Sequence, residues 1–220
     1  MVPREATARA VHSVEGPAPI LQAVPGYGGG TPRGGRAAAV SNAHIGVLVL
    51  LAAETMLFTG LLGAYVLFRT VAASWPPTGL PRLPLLVTTL NTLVLVGSAY
   101  TMHRARAAAR AADHAALRPY LIATATLGLL FLGIQGAEWV RLVHHGLTLA
   151  SGPYGASFYT LIGLHGVHVL AAVVWLLVVT TLARAERGAP LRSVPVDVCG
   201  IYWNYVVALW LVLFGLVYVA

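Results

Sequence analysis

Five long apolar runs, separated by short polar segments, dominate the hydrophobic pattern of this chain. They cover about residues 44–68, 84–102, 119–140, 157–183 and 198–219. Each run is near or above the roughly 18 apolar residues that mark a helix able to cross a bilayer. The pattern therefore predicts an all-α fold, an integral membrane bundle of five transmembrane helices that occupies residues 41–220.

Residues 1–40 have a different pattern, rich in Gly, Pro, Ala and Arg and typified by PGYGGGTPRGGR at residues 25–36. Such a segment buries too little apolar surface to fold alone. A cleaved signal peptide is the competing interpretation, but no apolar run precedes Ala43, and the first run is too long and too late for one. We predict a flexible cytoplasmic tail and a first helix that stays in the mature protein.

Composition and charge agree with a membrane protein. Hydrophobic residues make up 58% of the chain and charged residues only 10%, against roughly 25% charged residues in a soluble domain. The net charge of +7 is the excess of fourteen arginines over seven acidic residues, and most of the arginines lie in the tail and between the apolar runs. Such a distribution reports membrane orientation, and it gives no support to nucleic-acid binding.

With five spans and a cytoplasmic N-terminus, eleven arginines share one side of the membrane and three lie opposite. The eleven are Arg4, Arg9, Arg33, Arg36, Arg104, Arg106, Arg110, Arg118, Arg184, Arg187 and Arg192, and the three are Arg69, Arg82 and Arg141. Because cytoplasmic loops carry the excess of positive charge, this split predicts a cytoplasmic N-terminus and an external C-terminus.

Two carboxyl groups fall within the apolar runs. Glu54 lies about ten residues into the first run, near the bilayer midplane, where an ionisable side chain costs about 2.5 to 3.5 kcal/mol. We leave open a proton or lipid site, a structural hydrogen bond and a metal role for it. Glu138 lies nearer the interface, and Arg141 follows it at i+3, so a local ion pair is the simplest interpretation. The alternative for Glu138 is a partner on the fourth span.

The stretch GLHGVHVL, residues 163–170, places two histidines three residues apart. Because three residues turn a helix by about 300°, we expect His165 and His168 to share one face. The neighbouring Gly163 and Gly166 are small enough to let another helix approach. We favour interhelical hydrogen bonds to Glu54 or Glu138 over metal or haem ligation. Specifically, we expect His165 or His168 to reach Glu138, which leaves Glu54 to lipid or to a proton.

Metal chemistry lacks its usual co-ligands in this sequence. A di-metal bundle site needs two Glu-x-x-His motifs, and neither intramembrane glutamate is so placed. Cys199 is the single cysteine, which excludes an internal disulfide. We therefore predict no metal, no cofactor and no catalytic residue in this chain. The predicted intramembrane hydrogen-bond network consists of Glu138, His165, His168, Asn91 and Asn204.

These residues lie in motifs that together resemble subunit III of the haem-copper oxidases. AETMLFTGLLGAY is similar to that family's SE-x-x-x-F-x-G-x-x-x-A helix, and it places Glu54 at the family's membrane-buried carboxyl. WPPTG and LNTLVLVGSAYTMH resemble the next loop and helix, and LLFLGIQGAEW resembles the Q-x-x-E-[YW] helix that includes Glu138. YGASFYTLIGLHGVHVLAAVVWL is the strongest single match. The resemblance covers about residues 44–219 in order.

The resemblance implies a non-catalytic accessory subunit of a respiratory terminal oxidase in a bacterial cell membrane. Such a subunit packs against the catalytic subunit I, holds phospholipid, and supports proton uptake. Haem and copper would belong to partner subunits I and II. The alternatives that we keep open are a stand-alone membrane metalloprotein that uses His165, His168, Glu54 and Glu138, and an accessory subunit of a nitric oxide reductase.

The sequence departs from the family in two ways. Many members have seven spans, whereas this chain resembles the shorter five-span bacterial forms. The family's last helix usually reads YWHFVD-x-x-W, but here it is YWNYVVALW, with Asn204 for the usual His and Val207 for the usual Asp. Asn can still donate and accept hydrogen bonds, but Val can do neither. These departures put a proton or salt-bridge role of this helix in question.

Overall fold

The computed structural model describes residues 42–81, 83–185 and 193–219, with residues 183–185 described by their backbone only. The predicted cytoplasmic tail, residues 1–40, lies outside this part of the chain. So do Arg82, Arg187 and Arg192, three of the arginines used to predict orientation.

The described residues form five long helices and contain no strand. The helices are α1 (Asn42–Val71), α2 (Leu85–Arg110), α3 (His114–His144), α4 (Gly152–Ala185) and α5 (Ser193–Leu213), and α5 continues as a π-helical segment at Phe214–Val219. All five are long and apolar enough to cross a membrane, which confirms the predicted fold class. This chain is a multi-pass membrane protein.

When the π-helical segment is counted with α5, each helix is longer than the apolar run that predicted it, because additional residues extend its ends. The shortest of the five is then α2, with 26 residues, and the longest is α4, with 34, or about 39 and 51 Å at 1.5 Å per residue. The hydrocarbon core is only about 30 Å thick. Helix ends therefore reach into the headgroup region.

The connections follow their local chemistry. The proline-rich segment WPPTGLPRLP contains no helix among its described residues, because proline lacks an N–H donor and has a fixed φ. Between α2 and α3 there are three residues, and the last of them, Asp113, accepts a hydrogen bond from the backbone N–H of Ala116 at 3.0 Å. This side-chain cap satisfies one of the unpaired donors at the start of α3.

Helix α5 lies at the centre of the packing, in contact with α1, α2 and α4, while α3 packs on α2 and α4. Helix α1 lies against α4 and α5 at the periphery: its central window is 17% buried, against 44% for α4 and α5. Its buried residues, Val47, Glu54, Phe58 and Tyr65, form one stripe. The spacing of 7, 4 and 7 keeps them on a single helix face, so Glu54 faces the bundle.

Two tryptophans of α5 fix its register against α2. Trp203 donates from Nε1 to the Ser98 hydroxyl at 3.1 Å, and Trp210 donates to the Thr92 hydroxyl at 2.9 Å. The tryptophans are seven residues apart, two helical turns, and therefore share one face. Both indoles and both hydroxyls are buried, so a sliding of α5 along α2 would break both bonds together.

Candidate functional site

A buried cluster of one carboxyl group, one imidazole and one phenol joins α1, α4 and α5. Glu54 is 8% exposed, and Tyr202 of α5 donates a hydrogen bond to its Oε1 at 3.0 Å. His168 Nε2 lies 3.6 Å from the same oxygen. That separation is beyond a hydrogen bond but close enough for a strong electrostatic interaction. The other oxygen, Oε2, has no hydrogen-bond partner among the described residues.

The second ring nitrogen of His168 determines its tautomer. Nδ1 lies 2.7 Å from the carbonyl oxygen of Leu164, and because a carbonyl can only accept, Nδ1 carries the hydrogen. A neutral His168 therefore turns the lone pair of Nε2 toward Glu54. Two acceptors then face each other at this contact unless a proton lies between them. A single additional proton, on either group, makes the contact attractive.

The cluster forms the floor of a groove of about 320 Å³ between α1, α4 and α5. The wall residues Leu50, Val167 and Ala171 are apolar, and Val167 is 61% exposed on the outer surface of the bundle. Glu54 and His168 thus lie beneath an exposed apolar surface of the described bundle. The arrangement can hold a proton inside the membrane, and it can receive an apolar chain along its walls.

The two histidines of α4 pack against different neighbouring helices, although their spacing of three places them on one side of α4. His165 is fully buried and stacks on Trp210 of α5, with ring centroids 5.1 Å apart. His168 instead packs edge-on against Phe58 of α1, at 5.3 Å. Residues three apart on a helix differ by about 60° in direction, and in this bundle that angle separates two neighbouring helices.

The predicted contact between a histidine and Glu138 is wrong. Glu138 is buried on α3 and pairs with Arg141 of the same helix, Nη1 to Oε1, at 2.8 Å. This is the local i, i+3 pair that the spacing indicated. Neither ring nitrogen of His165 has a hydrogen-bond partner among the described residues, and the carboxyl group that meets His168 is Glu54. Of the proposed metal set, only Glu54 and His168 are brought together, and no third His, Cys, Asp or Glu among the described residues completes a metal site with them.

The small residues beside the histidines accommodate an indole. A Cβ at Gly166 would lie 3.1 Å from Cη2 of Trp139 on α3, and one at Gly163 would lie 3.9 Å from it. Close helix approach was correctly predicted from these glycines. The group that uses the space is an aromatic ring, and no hydrogen bond to the histidines accompanies it.

A family model described as Cytochrome c oxidase subunit III matches residues 29–220. This chain belongs to the cytochrome c oxidase subunit III family.

Relatives from three organisms agree with this assignment. Cytochrome c oxidase subunit 3 of Synechocystis sp. is 37% identical over 176 residues, which cover 79% of this chain and 73% of that protein. The Thermostichus vulcanus protein of the same name is 34% identical over 195 residues, 84% of this chain and 94% of that protein. A probable cytochrome c oxidase subunit 3 of Mycobacterium leprae is 35% identical over 178 residues, 79% and 86% of the two chains.

The two departures from the subunit III pattern on α5 have different surroundings. Asn204 is half-buried, and its side chain makes no hydrogen bond to any other residue that the structure describes. Val207 is 5% exposed and belongs to the hydrophobic core. At this position the helix is packed by apolar contact, so no charge is available there.

The remaining polar residue of the predicted network, Asn91, is buried on α2 and donates from Nδ2 to the backbone carbonyl of Phe131 at 3.1 Å. It therefore bridges α2 and α3 without meeting either histidine ring through a hydrogen bond. The predicted network is thus divided into separate local contacts.

Two contacts were not predicted from the sequence: Tyr202 donates to Glu54, and Asp197 pairs with two arginines of α2. Asp197 had a detectable signal. It is the one acidic residue of α5, and it lies near the end of the helix that is adjacent to the arginine-rich end of α2. Tyr202 had none, because it is one of several aromatic residues in that part of α5.

Proposed function

We propose that this chain is a non-catalytic accessory subunit of a respiratory terminal oxidase that reduces oxygen to water and pumps protons. In this proposal it packs against subunit I, stabilises it, binds phospholipid and supports proton uptake. Haem and copper belong to partner subunits I and II. The observation that carries the proposal is the family match over residues 29–220, together with relatives that bear the oxidase name.

The arrangement of potential metal ligands supports a non-catalytic role. Within residues 42–81, 83–185 and 193–219, no three side chains of His, Cys, Asp or Glu are grouped so that they could hold a metal ion. His165 packs against Trp210, and Glu138 pairs with Arg141. The shared name of the relatives favours the oxidase over the nitric oxide reductase alternative, and the identity of the neighbouring genes would test that choice.

We infer that the N-terminus is cytoplasmic and the C-terminus external, in the inner membrane of a bacterium. The argument is the excess of arginine at one end of the bundle, which we call the arginine-rich end. It is the end at which α2 finishes with Arg104, Arg106 and Arg110 and at which Arg118 lies near the start of α3. Positive charge near helix ends is retained on the cytoplasmic side.

The pair Glu54 and His168 is the part of this chain that we assign to proton or lipid binding. Its contact can hold one additional proton, because Nδ1 of His168 is committed to the Leu164 carbonyl. The groove above it has apolar walls that suit a hydrocarbon chain. A carboxyl group inside the membrane has a high energetic cost, and the intramembrane carboxyl groups that proteins contain are usually functional.

The purified full-length chain is expected to contain less than stoichiometric iron, copper or zinc and to show no haem absorbance. In membranes of the source organism, an affinity-tagged chain is expected to co-purify with a haem protein. Elemental analysis and optical spectra check both expectations. One metal per chain in the isolated protein would overturn the accessory role and favour the metalloprotein alternative.

Replacing Glu54 by Gln in the intact oxidase is expected to leave oxygen consumption within about twofold, and to change its pH dependence or the loss of activity during sustained turnover. Gln keeps an oxygen that accepts from Tyr202, but it cannot take up or release a proton near neutral pH. Because Glu54 and His168 act on one shared proton, Glu54→Gln, His168→Gln and the double variant should have similar pH profiles, a strongly non-additive result.

The matched control is Glu138→Gln, which alters a buried carboxyl group that is paired with an arginine and makes no contact with a histidine. We expect it to leave the pH profile unchanged. Loss of haem from the complex in Glu54→Gln, or additive effects of the Glu54 and His168 changes, would contradict the assignment.

A further inference from the structure

Three charged side chains meet at the arginine-rich end of the bundle. Arg106 donates from Nε to Oδ1 of Asp197 at 3.0 Å. Arg110, one turn later on α2, donates from Nη2 to the same oxygen at 2.9 Å and from Nε to Oδ2 at 3.4 Å. We call these residues the Arg106–Arg110–Asp197 cluster. It ties the end of α2 to the first turns of α5.

The cluster contains more positive charge than Asp197 neutralises. Two guanidinium groups and one carboxylate leave a net charge of about +1. Each guanidinium has five N–H donors, and Arg106 uses one of them and Arg110 two in contacts with the described residues. An ion pair that served only to join two helices would need one arginine.

The position of Arg106 is built into the packing of α5. A Cβ at Gly200 would overlap Cδ of Arg106 and would lie 3.1 Å from its Nε, so the arginine stem passes over α5 at a residue without a side chain. The Arg106 side chain is 18% exposed and that of Arg110 is 60% exposed. Arg106 is therefore held in place while Arg110 lies at the surface beside it.

The depth of the cluster matches the headgroup region of the bilayer. From Leu85 at the start of α2, Arg106 lies about 32 Å and Arg110 about 38 Å along the helix axis. The hydrocarbon core is about 30 Å thick, so both guanidinium groups reach just beyond it. Asp197 lies near the N-terminus of α5, where the helix dipole adds positive potential.

We propose that Arg106 and Arg110 bind the phosphate group of an anionic phospholipid, of the phosphatidylglycerol class. Asp197 fixes the two guanidinium groups, and their unused donors receive the phosphate oxygens. Guanidinium matches phosphate geometry with paired hydrogen bonds, and anionic lipids are enriched in the cytoplasmic leaflet. The proposal rests on the cytoplasmic orientation inferred above and adds a headgroup site, apart from the groove over Glu54, to the phospholipid binding of the proposed function; it does not depend on the oxidase partners.

Two other occupants are possible chemically, and they define the arms of the test. Free inorganic phosphate has the same recognition chemistry but lacks the acyl chains that would lie along the apolar surfaces of α2 and α5. A carboxylate from a partner protein could also meet the arginines. We favour the lipid because the site lies at the depth where phosphate headgroups are present at high local concentration.

The test measures lipid binding to the full-length chain, purified in neutral detergent, by native mass spectrometry. Dioleoyl phosphatidylglycerol and dioleoyl phosphatidylcholine are titrated separately. We expect Arg106→Gln and Arg110→Gln each to weaken phosphatidylglycerol binding about tenfold, or about 1.4 kcal/mol, as for the loss of a hydrogen bond between charged groups. Arg110 is the more exposed, so its variant keeps the test valid if Arg106→Gln fails to fold.

The matched control is Arg104→Gln, at the same end of α2. Arg104 bonds to the Tyr100 hydroxyl at 3.3 Å and lies over the ring of Tyr120, away from Asp197. We expect this variant to bind phosphatidylglycerol within twofold of the unaltered chain. Gly200→Ala, which displaces Arg106 without changing charge, should weaken binding as Arg106→Gln does.

Four results would overturn the proposal. The first is equal affinity for the two lipids, and the second is an equal loss of lipid affinity in Arg104→Gln. The third is displacement of the lipid by about 10 mM inorganic phosphate, which would indicate a site for simple anions. The fourth is unchanged lipid affinity in Arg110→Gln together with loss of a co-purifying protein, which would assign the arginines to a partner carboxylate.

Discussion

Replacing Trp210 by alanine is expected to lower the free energy of unfolding of the bundle by about 3 kcal/mol. Trp210 is fully buried, stacks on His165 at 5.1 Å and meets the edge of the Phe131 ring at 4.9 Å. Alanine would leave a cavity bounded by α2, α3 and α4. This cost is at the low end of the range for tryptophan in soluble proteins. In the unfolded state of a membrane protein the helices are apart but still in the bilayer, so the side chain of residue 210 meets lipid and not water.

Two further variants separate the contributions of ring packing and hydrogen bonding. Trp210→Phe keeps an aromatic ring against His165 but removes the donor to Thr92. Since Thr92 still donates to the Thr88 carbonyl at 2.7 Å, we expect a smaller cost, of which about 0.6 to 1.7 kcal/mol comes from the lost interhelical bond. Leu211→Ala, next along α5 and 45% exposed, serves as the control, with an expected change within about 0.5 kcal/mol.

Unfolding of these variants can be followed by circular dichroism during a titration from mild detergent into sodium dodecyl sulfate. Equal losses for Trp210→Ala and Leu211→Ala would show that Trp210 does not anchor α5 in the bundle. That result would also remove the support for His165 as a packing residue, because its ring lies against the indole.

The substitution Gly128→Ala is expected to destabilise the bundle by about 1 to 3 kcal/mol. A Cβ at Gly128 would lie 2.5 Å from Cη2 of Trp203 and 3.0 Å from Cγ2 of Val173. The indole cannot rotate away without losing its hydrogen bond to Ser98. The added methyl group must therefore push α3 away from α4 and α5.

The chain provides a matched control on the same helix. Gly133 has no atom within 4 Å of the position that a Cβ would occupy, so Gly133→Ala should be neutral or stabilising, as the higher helix propensity of alanine implies. Opposite signs for the two glycine replacements are the expected outcome of the same titration. Equal effects would indicate that glycine flexibility, and not the space required by Trp203, is what matters at Gly128.

The cluster of Glu54, His168 and Tyr202 depends on this packing, because its members come from three helices. Tyr202 is next in sequence to Trp203, whose indole is held by Ser98. Changes that shift α5 along its axis should therefore also move the Tyr202 hydroxyl from Glu54. For this reason each variant of the proton-binding pair should be checked for unfolding stability before its activity is interpreted.

The sequence by itself determined the features that depend on local chemistry. Apolar runs longer than 18 residues predicted the five helices, and four prolines in ten residues predicted the irregular segment after α1. The ion pair between Glu138 and Arg141 was also predictable, since residues at i and i+3 are neighbours on any helix. The family motifs then indicated the type of protein, because they combine residue identity with order along the chain.

Only the tertiary structure decided which helices meet and which side chains face each other. These helices are apolar on nearly all sides, so their sequences do not mark the buried face as an amphipathic helix does. The rotation of α4 about its axis sends His168 to Glu54 and His165 to Trp210, and a rotation of about 60° would have turned one histidine toward the helix that the other now faces. Asp197 and its two arginines are about 90 residues apart. Their pairing arises from the antiparallel packing of α2 and α5, which no local spacing in the sequence specifies.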